Sequence, residues 1–226
     1  MKPHIVIGYH GHCFDGMSSA ALLTRFFQEQ QGADVEITYH GLDHQPGGSH
    51  VPEEILQGDT NAVVDFRYTM SPKLNWWFDH HRTGLVGAEE EAHYAASDHT
   101  KKFFDPNYGS CCRFIRDICQ EHFQWQDPKL SELVRWADII DTAGFKNAQE
   151  AVELKAPALQ LMTVIEAHGH DGFLAPRIKR LAQGESIESL AGEKEVQTLF
   201  KPLLEATRAS CDAIQHCAKE RNGVVS

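Results

Sequence analysis

Three short segments carry side chains suited to holding cations. The first is His10-Gly11-His12-Cys13-Phe14-Asp15-Gly16, the second places Asp65 in the run Ala62–Phe66 (AVVDF), and the third is Asp79-His80-His81. The donors are imidazole and carboxylate, with one nearby thiol, Cys13, and no CxxC pair. That mix suits a divalent ion such as Mn²⁺ better than a structural zinc site. A fourth segment, LVRWADIIDTAGF (133–145), offers Asp138 and Asp141.

These donors need elements to position them. His4–Tyr9 (HIVIGY) is a continuous apolar run, as expected of a strand buried on both faces. Ser18–Gln30 has helical spacing at Ala21, Leu22, Phe26 and Phe27, and Val35–His40 alternates like a strand. Val51–Leu56 predicts a short helix, Ala62–Phe66 a strand, Ser71–Lys73 a turn or short helix, and Asn75–Phe78 another strand. Helices are expected over Ser110–Phe123, Leu130–Ile140, Ala158–Ala167, Phe173–Ala182 and Glu193–Glu220. Strands alternating with helices predict an α/β fold: a parallel central sheet flanked by helices, with a C-terminal helical extension. The first three donor segments lie at the ends of predicted strands, and open parallel sheets bind ligands at the carboxyl ends of their strands.

Here the residues resemble a known family. FDHH at 78–81 is similar to the signature of the DHH phosphoesterase superfamily, of RecJ-like and nanoRNase-like type. His10-x-x-Cys13-x-Asp15-Gly16 resembles its first motif, Asp65 the Asp of its second, and Asp141-Thr142-Ala143-Gly144-Phe145 its fourth, with Asp138 the competitor. The resemblance covers about residues 4–145 and implies two Mn²⁺ ions. Asp65 would bridge them; His10 would serve the first; Asp15, His80 and Asp141 the second. His81 would contact the substrate phosphate, with Asp79 orienting the adjacent His. Cys13 stands where the common motif has a metal-binding Asp and is expected among the ligands of the first ion, with His12 as the candidate replacement. Arg82, Gly109 and Ser110 are expected to bind phosphate, the last two at a helix start whose N–H groups could hold an anion. Gly16 would let the backbone approach the site closely. Two cations about 3.5–4 Å apart can clamp the attacking and leaving oxygens of an in-line displacement.

The implied function is that of a hydrolase: a divalent-metal-dependent phosphodiesterase or nuclease acting on short oligonucleotides or small nucleotides through metal-activated water. A manganese-type pyrophosphatase, a degenerate non-catalytic nucleotide-binding module and a metal-binding structural subunit stand as alternatives. The C-terminal GGGHxxAAG motif of many such phosphodiesterases is missing. Residues 1–150 are therefore expected to form the catalytic domain, and 151–226 a helical extension or linker toward an absent substrate domain. Asn222–Ser226 predicts a turn entering a strand.

Charge bounds the partners. The chain has 226 residues, 32 Asp+Glu against 21 Lys+Arg, and net charge −11. Residues 1–150 carry −10 of it, and ten of 14 His lie between His4 and His99. That disfavours tracking long duplex DNA, which needs a basic surface, but suits bound cations and small anionic substrates. No apolar run approaches the ~20 residues of a membrane span. Six cysteines without a framework pattern, and no signal peptide at the start, predict a cytoplasmic protein. A homodimer stays open. Blander roles are expected elsewhere: His40, His44 and His50 in a solvated loop, His168 and His170 at a helix end, Trp76 and Trp77 in the core, Glu89–Glu91 at an exposed helix start, and Cys111-Cys112 in helix packing.

Overall fold

Five segments pair into one all-parallel sheet: β1 (His4–His10), β2 (Glu36–Leu42), β3 (Thr60–Val64), β4 (Trp76–Asp79) and β5 (Lys102–Phe104). The computed structural model describes residues 2–44 and 50–217, and the backbone of 220–221 and 224–225. The strand order is β2-β1-β3-β4-β5. The helices are α1 (Phe14–Gln31), α2 (Gly87–Ala95), α3 (Cys111–Phe123), α4 (Ser131–Asp141), α5 (Ala148–Glu153), α6 (Pro157–His168), α7 (Asp171–Ala182), α8 (Ile187–Ala191) and α9 (Lys194–Cys217). The expected α/β class is the one observed. No helix among the described residues is long and apolar enough to cross a membrane.

The period-two geometry of a strand sends successive side chains to opposite faces. Ala62, Val64, Trp76 and Phe78 therefore join the larger core, with α1, α3, α4, α6 and α7. Val63 and Trp77 point the other way, into a smaller core with Leu56, Phe66 and Tyr68, against which Tyr94 of α2 packs. Both tryptophans are buried, as expected, and Trp77 Nε1–H donates to the Phe66 carbonyl at 2.8 Å. The larger core runs on to Val196 and Phe200 of α9, so the helices after residue 157 share it.

Several boundaries differ from the sequence expectation. Helix α1 begins at Phe14 rather than Ser18, so Asp15 and Gly16 lie in its first turn. An acidic residue there is favoured by the helix dipole. The helix expected over Val51–Leu56 is a single 3-10 turn, Glu53–Ile55. Strand β5 and helices α5 and α8 are too short to leave a periodic signal. The expected loop Asp43–His50 lies outside the described residues at 45–49. Near the C-terminus β6 (Glu220–Arg221) pairs antiparallel with β7 (Val224–Val225); Asn222, Gly223 and Ser226 of the expected turn and strand lie outside the described residues.

Candidate metal centre

The strand order turns back between β1 and β3: the chain leaves β1 for one side, β2, then crosses to the other, β3. Ligands bind at such a switch point because the loops diverge and leave a crevice. His10 ends β1, Asp65 follows β3, and Asp79 ends β4 with His80 and His81 next. Asp65 adopts φ +56°, a left-handed conformation that a short polar residue tolerates and a β-branched one does not. Its N–H donates to the Phe78 carbonyl at 2.9 Å, so the chain turns sharply while still tied to β4.

Two groups of donors converge here. His10, Asp65 and His81 form one; Asp15, His80 and Asp141 form the other. Asp65 Oδ2 lies 3.5 Å from His10 Nδ1, and its Oδ1 lies 3.3 Å from His80 Nε2. This carboxylate, 1 % exposed, thus turns Oδ2 to His10 and Oδ1 to His80, with His81 Nδ1 3.9 Å from Oδ1. His80 Nε2 also lies 3.7 Å from Asp15 Oδ2 and 3.4 Å from Asp141 Oδ2. These separations exceed ordinary hydrogen-bond lengths. Both Asp65 oxygens, His10 Nδ1 and His80 Nε2 are buried without a hydrogen-bond partner. Ligands held about 2.1 Å from one ion sit roughly 3.0–3.4 Å apart, so the spacing fits a metal better than a hydrogen-bond network.

The electrostatics point the same way. Burial, then the Asp65 and Asp141 charges, push the Asp15 carboxyl well above its usual range. Burial and Asp65 likewise raise Asp141. Burial opposes charge on Asp65 too, but contacts with His10 and His80 outweigh it and hold the carboxyl low. Burial also disfavours His80 imidazolium; Asp65 and Asp15 override it and raise the ring to about 10. Protons therefore offset part of the carboxylate charge. A divalent ion would do so without placing a cationic imidazole in the centre, and its binding would release protons.

Supporting bonds fix the orientations of these donors. His80 Nδ1 lies 3.1 Å from the Tyr108 carbonyl, an acceptor only, so that nitrogen carries the proton and Nε2 faces the carboxylates. Asp79 is fully buried; its Oδ1 accepts from His80 N–H (2.9 Å), His81 N–H (3.2 Å) and His81 Nδ1 (2.7 Å). This bond raises the His81 pKa and commits its Nδ1. Gly84 is required against Asp79, because a Cβ there would stand 2.2 Å from Oδ2. Gly16 likewise lets α1 approach β1, since its Cβ would meet the His10 carbonyl at 2.2 Å.

Some expected residues do something else. The Cys111 and Cys112 N–H groups at the start of α3 donate to Asp15, at 2.6 and 3.0 Å. Ser110, wholly buried, caps α3 by accepting from Arg113 N–H, and Gly109 packs against Thr142 and Asp138. Two of the N–H groups that open α3, next to the expected phosphate contacts Gly109 and Ser110, are thus already taken by a carboxylate of the chain. Asp138 accepts from Arg113 at 3.1 Å and is outside both donor groups, which leaves Asp141 as the ligand candidate. Cys13 is also outside both groups, and burial, then Asp65 and Asp15, keep its thiol protonated. His12, the suggested substitute, contacts the Glu166 carbonyl instead. Arg82 is exposed and does not line the adjoining cavity.

That cavity, about 220 Å³, is lined by His44, Phe66, Arg67, Asp79, His81, Thr83, Gly84 and Val86. His44, expected in a solvated loop, stacks on Phe66 at 5.2 Å and meets His10 edge-on at 4.9 Å. Burial, then His10 and His81, lower its pKa. Arg67 pairs with Glu90 at 2.5 Å, so Glu90 is not a purely solvated acid. Phe66 and Arg67 directly follow Asp65, and that adjacency was the one sequence signal available for them. His168 and His170 join neither donor group. No protein-family model matches the chain, and no curated protein matches it.

Proposed function

We propose that this chain is a divalent-metal-dependent phosphoesterase of DHH type, acting on a phosphodiester of short oligonucleotides or small nucleotides. The observation that carries the reading is Asp65, a buried carboxylate that turns one oxygen to His10 and the other to His80, between the two donor groups. A structural acid would be hydrogen-bonded; both of these oxygens lack a partner. Asp15, His80 and Asp141 would hold one ion, and His10 with Asp65 the other. The second set is thinner without Cys13, so its ion would be held more weakly. Bound ions supply charge that polarises a phosphoryl oxygen and assists attack by water.

The remaining residues orient and position. Asp79 fixes the His81 ring through Nδ1, which leaves Nε2 as the atom for a phosphoryl oxygen. Tyr108 fixes the His80 tautomer. Mn²⁺ is the first ion to test, because the donors are carboxylate and imidazole. The net charge of −11 fits a small anionic substrate met at a metal-neutralised site better than long duplex DNA. A cytoplasmic setting fits the unpaired cysteines.

The test is a hydrolysis panel with Mn²⁺: pyrophosphate, cyclic and linear dinucleotides, 3′-phosphoadenosine 5′-phosphate and short RNA. Turnover of a phosphodiester that disappears in Asp65→Ala and His80→Ala supports the reading. Turnover of pyrophosphate alone replaces it with a pyrophosphatase. Failure to bind Mn²⁺, or two bound ions with no turnover of any substrate, overturns it.

A further inference from the structure

The cavity beside His81 is not needed to hold metal, and its walls have their own chemistry. Of its lining atoms, Asp79 Oδ1 is spent on three N–H donors and Oδ2 lies against Gly84. The His44–Phe66 stack gives it an aromatic wall, and Val86, with Gly84, a small apolar rim. Arg67 and Thr83 supply polar edges. The Arg67 charge is already balanced by Glu90, whose other oxygen accepts from Val86 N–H at 2.7 Å and so braces the rim. A second phosphate would therefore gain little there, and would stand near Asp65, Asp79 and Glu90. A neutral planar ring with hydrogen-bonding edges suits the same walls: aromatic surfaces stack on any base, and a guanidinium donates to ring nitrogens and carbonyls. The volume, about 220 Å³, holds one ring system.

We infer that this cavity is a subsite for a single nucleobase, attached to the phosphate that His81 contacts, with Arg67 and Thr83 at its polar edge. The inference rests on the phosphodiesterase reading and sharpens it: a substrate without a base, such as pyrophosphate, would leave the cavity empty. Arg67 takes the place in substrate contact that the sequence suggested for Arg82.

Two experiments separate this inference from the reading it rests on. The first needs no turnover. Binding of AMP and of ribose 5-phosphate to the full chain is measured by calorimetry without metal and with Mn²⁺. AMP is expected to bind roughly five- to hundredfold more tightly, the contribution of one stacked base. Val86→Trp fills the cavity from a residue that is 52 % exposed, so folding should survive, and it should erase the AMP preference. Thr83→Trp, also at an exposed position, is the second filling variant. Equal binding of the two ligands by the parent chain, or an AMP preference that both filled variants keep, overturns the subsite. The second compares KM for a dinucleotide and its abasic analogue. The parent should favour the base-bearing substrate by a similar factor, and Val86→Trp should abolish that ratio. Turnover with no such ratio overturns the subsite and leaves the phosphoesterase reading standing. AMP preference with no turnover of either substrate does the reverse.

Discussion

Replacing Asp171 by Ala should destabilise the protein by about 3–4 kcal/mol, more than its partly exposed position would suggest. Asp171 opens α7, and its Oδ1 accepts from the Tyr9 hydroxyl at 2.9 Å and from Gly41 N–H at 2.7 Å. Burial, then the Asp171 charge, keep the Tyr9 phenol protonated, so the hydroxyl is the donor. Hydrogen bonds to a charged acceptor contribute about 1.5–3 kcal/mol each. Tyr9 is 0 % exposed, and truncation would leave its hydroxyl buried and unpaired. The lower half of the range is taken, because Asp171 itself is half-buried. For a chain of this size the loss lowers Tm by roughly 6–16 °C. Tyr9→Phe removes the donor with the bond and should cost only about 1 kcal/mol. In that background Asp171→Ala should cost about 1–2 kcal/mol less, a coupling of the size seen between contacting residues. Urea unfolding followed by circular dichroism measures all four corners. The bonds tie α7 to the ends of β1 and β2, next to His10, so Asp171→Ala should also weaken Mn²⁺ binding. Strict additivity, or a single-mutant cost below about 1 kcal/mol, refutes the reasoning.

Further outcomes are expected. Mn²⁺ at a hundred times its Kd should add about 2.7 kcal/mol of stability, a rise of roughly 5–11 °C in Tm, and Asp65→Ala should abolish it in a thermal-shift assay. Cys13→Ala should keep that shift, because the thiol belongs to neither donor group. Asp79→Ala should lower kcat about 10- to 100-fold through loss of His81 orientation, while Gly84→Ala, which presses on Asp79 Oδ2, should cost about 1–3 kcal/mol in denaturant unfolding. Ser110→Ala should cost about 1 kcal/mol as a lost helix cap and leave the Mn²⁺ shift intact; loss of substrate affinity without loss of stability would restore its phosphate role.

The strands and longer helices were legible because their apolar periodicity is local. HIVIGY, AVVDF and NWWF each fall within or overlap an observed strand, and the acids and histidines after them meet at one edge because the sheet is parallel. The start of α1 was misplaced because Asp15 and Gly16 look like turn residues, yet one favours a helix N-terminus and the other fits against His10. His44 looked solvated because nothing in its own segment announces Phe66.

By itself the sequence determined the donor types, their order and the placement of three donor segments at strand ends, and with these an α/β fold. Tertiary structure alone decided which donors meet. The bond from Cys111 N–H to Asp15 spans 96 residues and braces that buried carboxylate from the start of α3. The choice of Asp141 over Asp138, the exclusion of Cys13 and the cavity beside His81 likewise depend on how α1, α3 and α4 pack over the sheet. The physical reason is range. Periodicity and turn chemistry act over a few residues, whereas a metal centre or a cavity is defined at ångström precision by side chains that only long-range packing brings together.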